Sequence, residues 1–153
     1  MSSNSLPSLQ NVESFLRCLL GDQVQVFMSP PGPELPKTLV VATYVDHTIA
    51  VRRVLICDLA LANSMGAAMS MIPAGVARDA TKSGNIGEHI LGNLREILNI
   101  CVNLFTGRFA DRLTFSELRV CAPGDPLPTV TASVTYALNI PRYPGGNLLA
   151  GSV

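Results

Sequence analysis

Apolar residues at Val12, Phe15, Leu16, Leu19 and Leu20 recur at helical spacing, which predicts an amphipathic helix closed by Gly21. Val24, Val26 and Met28 then alternate with polar neighbours, the pattern of a half-buried strand. Pro30, Pro31, Gly32, Pro33 and Pro36 read as a connecting loop; the run is too short and irregular for a polyproline ligand. Two strands are predicted at 38–44 and 49–56, across a polar turn at Asp46-His47-Thr48. Asp58 is expected to cap a helix through Met71, with Leu61, Met65, Ala68, Met69 and Ile72 on one face. Its methionines fall on the apolar stripe and read as packing material. Pro73 should stop this helix and leave 73–83, with Gly75, as a linker. The longest helix is predicted over 85–105, a span of roughly 30 Å, with Gly107 near its end. Strands at 113–121 and 129–139 follow, separated by a Pro/Gly-rich loop. Pro141-Arg142-Tyr143-Pro144-Gly145-Gly146 then turns the chain into an apolar tail, Leu148-Leu149-Ala150.

Helices interspersed with paired strands predict an α+β fold: an antiparallel or mixed sheet with helices packed on one face, in one domain over 1–153. Strict β-α-β alternation is missing, which disfavours a doubly wound sheet. Short-period repeats and heptads are not visible.

Composition narrows the function classes. Apolar residues make up 48% of the chain and charged residues 14%, which excludes disorder. Eleven basic and eleven acidic side chains cancel, and no basic stripe points to nucleic acid or an anionic membrane. Without tryptophan, and with few scattered Phe and Tyr, there is no base-stacking platform. Residues 1–10 lack a signal-peptide pattern, and the longest apolar runs, such as Val54-Leu55-Ile56-Cys57, are too short to span a bilayer. A soluble, cytoplasmic protein is expected. Cys18, Cys57, Cys101 and Cys121 lie far apart without metal-ligand spacing; they read as small buried hydrophobes rather than a disulfide or zinc framework. Glycine-rich phosphate loops, nucleophile elbows and H-E-x-x-H motifs are absent.

The long helix carries the most chemistry. At 100° per residue, Ile90, Leu94, Ile97, Leu98, Cys101, Leu104 and Phe105 gather on one side, to face the core. Opposite them lie Asn85, Glu88, His89, Gly92, Glu96, Asn99 and Asn103. Glu96 and Asn99, three residues apart, should project about 5–6 Å from each other. Glu96 and Glu88 have no basic residue at helical-neighbour positions, so each is free to meet a cation on another molecule or simply to be solvated. Gly92 costs about 1 kcal/mol relative to alanine inside a helix. Either a partner surface approaches closely there, or local packing needs it, or the glycine is simply tolerated. Asp46 and His47 read as turn residues.

The segment Gly92-Asn93-Leu94-Arg95-Glu96-Ile97-Leu98-Asn99-Ile100 resembles the signature helix of the CheC/CheX/FliY chemotaxis phosphatases. There an Asp or Ser stands four residues before a Glu, an Asn follows the Glu by three, and a Pro comes further on. Glu96 and Asn99 match, Ile100 continues the pattern, and Ala110-Asp111-Arg112-Leu113 resembles the end of the family helix. Pro123 falls within a residue of the family spacing, and Ile140-Pro141-Arg142-Tyr143-Pro144-Gly145 is similar to the closing Ile-Pro-x-Pro-Gly turn. The chain departs at the first position, which is Gly92, and in the N-terminal helix, where Glu13-Ser14-Phe15-Leu16 has no matching Asn. It therefore resembles single-site, CheX-like members.

The resemblance implies a CheC/CheX-like fold and a phosphatase acting on the aspartyl phosphate of a CheY-like response regulator. By that analogy Asn99 positions the attacking water and Glu96 pairs with the regulator's active-site lysine. Glu88, Gly92 and Asn103 share the face and are expected to line the partner contact. His89 shares the face and reads as a bystander. No cofactor is expected in this chain; Mg²⁺ belongs to the regulator. The alternative is a non-catalytic module of the same fold that docks a regulator or another protein. A third reading is a homodimer formed by sheet pairing along an edge strand such as 129–139.

Overall fold

The computed structural model describes residues 6–29, 37–105 and 112–153; the proline-rich segment 30–36, expected to be a loop, Gly107 and the Ala110-Asp111 pair lie outside them. Ser8 opens the first helix, α1 (Leu9–Leu20), by accepting a hydrogen bond from the Asn11 N–H at 3.1 Å. Gly21 ends it at a φ of 119°, a left-handed conformation that glycine adopts without strain. Val12 and Leu16 face the core. Polar side chains then tie α1 to the strand that follows, β1 (Gln25–Ser29). The Glu13 carboxylate accepts from the Val26 N–H at 3.1 Å, and Arg17 Nε donates to the Val24 carbonyl at 2.9 Å.

Strands β2 (Leu39–Val45) and β3 (Val51–Asp58) are rich in β-branched residues and pair as an antiparallel hairpin. Asp58 caps α2 (Leu59–Met69) through the Leu61 N–H at 3.0 Å. This helix ends two residues before the predicted Met71, and it is buried all round from Leu61 to Ala67 rather than along one stripe. A helix apolar on every side is one enclosed on every side. Met65 is core, but Met71 is not packing material: it is 83% exposed.

The predicted linker at 73–83 is instead a helix, α3 (Ala74–Lys82). Its apolar side is built from small residues, Ala74, Ala77 and Ala80, of which only Ala77 is buried. Docking on α2 compensates: Ala77 packs with Ala67 and Ile90, and Asn63 Nδ2 donates to Thr81 Oγ1 at 3.1 Å. The next helix, α4 (Glu88–Ile100), continues into a 3₁₀ turn, Cys101–Leu104. Together they fill most of the predicted 85–105 span. Strands β4 (Thr114–Cys121), β5 (Ala132–Asn139) and β6 (Gly146–Ser152) follow. The predicted apolar tail is therefore a strand, and it pairs with β3 at the middle of the sheet.

The described strands form a six-stranded antiparallel sheet in the order β1-β5-β6-β3-β2-β4. Read from either edge, this order is the same. α1-β1-β2-β3 and α4-β4-β5-β6 repeat one arrangement, related across the β3–β6 pair, and each gives its first strand to the other's second. β5 lies between β1 and β6, so the segment expected at an edge is interior. The edges are β1 and β4. Helices α1, α2 and α4 pack on one face over Val40, Ala42, Tyr44, Leu55 and Tyr136. On the other face a smaller patch of Val41, Val54, Ile56 and Cys121 is covered in part by Val130. The α+β class with helices on one face holds. Cys57, Cys101 and Cys121 are buried as expected, whereas Cys18 is exposed. No described helix is long and apolar enough to cross a membrane.

Candidate functional site

The sides of α4 divide as its periodicity predicts. Ile90, Leu94 and Ile97 are fully buried and Leu98 nearly so. Asn85, Glu88, His89, Gly92, Glu96, Asn99 and Asn103 are all exposed. The α-helix runs unbroken from Glu88 to Ile100, so Glu96 and Asn99 stand one turn apart on one face. Neither side chain makes a hydrogen bond or ion pair with another described residue. Their polar atoms are free to engage another molecule.

The other candidates sit around this pair. Glu88 is in the first turn, above a Gly87 cap that offers no side-chain hydrogen bond, where its charge also favours the helix dipole. Gly92 lies one turn before Glu96, and a Cβ built there would meet nothing within 4 Å. Packing within the chain does not require this glycine. Asn103 lies in the 3₁₀ turn, whose tighter winding sets it off the straight continuation of the stripe. Asp46 and His47 belong to the β2–β3 turn. The Asp46 carboxylate accepts from Thr48 N–H at 2.8 Å, Thr48 Oγ1 at 2.6 Å and Arg52 Nε at 2.6 Å. These bonds, Thr48 first and Arg52 next, hold Asp46 well below the usual carboxylate range.

Three clasps fix α4 against the body, and hydrophobic periodicity revealed none of them. At its start, fully buried Asn63 accepts from the Gly87 N–H at 3.0 Å and donates to the Asn85 carbonyl at 2.9 Å. Midway, Asn93 Nδ2 donates to the Gly66 carbonyl at 2.9 Å and to Ser70 Oγ at 2.6 Å. Near its end, the buried Tyr44 hydroxyl donates to the Leu98 carbonyl at 2.6 Å. Burial raises the Tyr44 pKa far above its ordinary value, so the group stays a donor. Sequence signals existed for two of these. Asn63 is a polar residue inside an apolar helix, and Tyr44 is a tyrosine within a buried strand; both types need partners.

The N-terminal helix shows the contrast. Glu13 is committed to Val26 and to Arg17, 3.5 Å away, and Leu16, three residues on, is 1% exposed. α1 therefore carries no Glu-x-x-Asn pair. Among the described residues, no group of three or more His, Cys, Asp or Glu side chains is placed to hold a metal ion.

The sequence matches no protein-family model and no curated relative. Solved structures do match. A chain of the FliM-SpeE complex from H. pylori superposes with a TM-score of 0.65 at 11% identity, covering 94% of this chain and 80% of that one. The FliM middle domain of H. pylori gives 0.50 at 12% identity, with 95% and 85% covered. FliY of Thermotoga maritima gives 0.50 at 13% identity, with 94% and 83% covered. At such identities the likeness is one of fold. The chain has the CheC/CheX/FliY-type fold, the one implied by the resemblance of its 92–100 helix.

Proposed function

We propose that this chain is a phosphatase that accelerates hydrolysis of the aspartyl phosphate of a CheY-like response regulator. The observation that carries the reading is the pairing of Glu96 and Asn99. Both are exposed and unpartnered among the described residues, one turn apart, on a helix clasped at both ends. Phosphoryl transfer passes through a loose, in-line transition state, so positioning and charge stabilisation do most of the work. The regulator's own Mg²⁺ supplies charge neutralisation at the phosphoryl oxygens. Water adds to phosphorus as the bond to the aspartyl oxygen breaks, releasing phosphate and the free carboxylate. A carboxamide suits the water because it donates and accepts at once; Asn99 takes that role. Glu96 meets the regulator's lysine and sets the register of the docked helix. Glu88, Gly92 and Asn103 border the contact.

The test is phosphate release from a phosphorylated, Mg²⁺-loaded regulator, with and without the chain. Asn99→Ala should cost about a hundredfold in turnover by removing the oriented water, while the circular dichroism spectrum stays unchanged. Undiminished turnover in that variant overturns the assignment. A second reading is favoured by Gly92, which leaves the first motif position without a side chain: a non-catalytic module that docks a regulator. Regulator binding with no acceleration over autodephosphorylation identifies that case.

A further inference from the structure

The Leu98 carbonyl lies in the last turn of α4, where the Cys101 N–H that follows bonds to the carbonyls of Ile97 and Asn99 on either side of it. The chain answers from the sheet, with the Tyr44 hydroxyl at 2.6 Å. That oxygen belongs to the peptide unit joining Leu98 to Asn99. A peptide unit is rigid and planar and includes the next Cα, so a bond that fixes the Leu98 oxygen also fixes the Cα of Asn99. The donor is itself held. Tyr44 is fully buried, its ring lies 5.3 Å from that of Phe105 and 5.8 Å from that of Phe115, and its strand is paired on both sides.

We infer that Tyr44 is a positioning residue for Asn99: its hydroxyl sets where the last turn of α4 stands, and so where the carboxamide points. The inference rests on the phosphatase reading above, because positioning matters only if Asn99 orients a water. The repeated architecture supplies a matched control. Tyr136, on β5, is equally buried, and its hydroxyl donates to the Pro7 carbonyl ahead of α1, a helix with no Glu-x-x-Asn pair. Tyr44→Phe and Tyr136→Phe each delete one buried hydroxyl and keep the ring.

The experiment compares both variants with wild type in steady-state dephosphorylation of the phosphorylated regulator, alongside thermal melts. Both variants should melt lower. Only Tyr44→Phe should lose kcat, by about tenfold to a hundredfold, with KM for the regulator little changed because the docking face is intact. If wild type is active and the two variants show the same kcat, the role of Tyr44 is overturned while the phosphatase reading stands. If wild type itself gives no acceleration, the phosphatase reading fails, and the inference with it. Should Tyr44→Phe not fold, Phe105→Leu loosens the ring but keeps the hydroxyl. A kcat loss at constant KM then supports the role, and an unchanged kcat overturns it.

Discussion

Gly92 and Gly66 both sit inside helices, where glycine costs about 1 kcal/mol relative to alanine, yet their surroundings treat them differently. A Cβ at Gly66 would lie 2.3 Å from Ile90 Cγ2 and 2.8 Å from the Ile90 carbonyl oxygen, because α2 and α4 cross there. At Gly92 the same atom meets open space. Gly92→Ala should therefore raise stability by about 1 kcal/mol, whereas Gly66→Ala should lower it by about 1–3 kcal/mol through overpacking. Urea unfolding of the two variants checks both signs. A stabilised Gly92→Ala that binds the regulator less well would show that the notch serves a partner. The exposure of Glu96 and Asn99 was legible in the sequence because an amphipathic period fixes which side chains point outward. Asn93, Asn63 and Tyr44 were not read as anchors, since their partners Gly66, Gly87 and Leu98 lie 24 to 54 residues away in the chain and only the tertiary fold brings them together.

The β2–β3 hairpin shows how one side chain can hold an element. Ile49 adopts a φ of 67° at its tip and is 75% exposed, an unfavourable backbone for a β-branched residue. Asp46 secures the turn through Thr48, Ala50 and Arg52. Because its folded pKa is depressed, the stability it contributes is present above the ordinary carboxylate range and lost as pH falls below about 4. Wild type should lose more of its urea midpoint between about pH 6 and 3 than Asp46→Asn, whose amide has no charge to neutralise. Helices α1, α2 and α4 could be read from caps and spacing. Residues 73–83 were read as a linker because their stripe consists of alanines, Ala74, Ala77 and Ala80, with Ala77 alone buried, a weak apolar signal that docking on α2 completes.

The repeated αβββ arrangement escaped sequence reading because it lives in connectivity, not in residue identity. Leu148, Leu149 and Ala150 gave an apolar signal, but nothing local said that they would stand at the centre of the sheet beside β3. The two halves have also diverged in use. α4 turns a carboxylate and a carboxamide outward, whereas in α1 Glu13 holds the edge strand and Leu16 fills the core. Leu16→Asn would complete a Glu-x-x-Asn pattern in α1, yet it buries an amide. It should cost about 2–5 kcal/mol on urea unfolding and add no dephosphorylation. Under the phosphatase reading, the commitment of Glu13 to Val26 therefore fixes a stoichiometry. Each polypeptide offers a single berth, so a binding titration should saturate at one regulator per chain, always on the same flank.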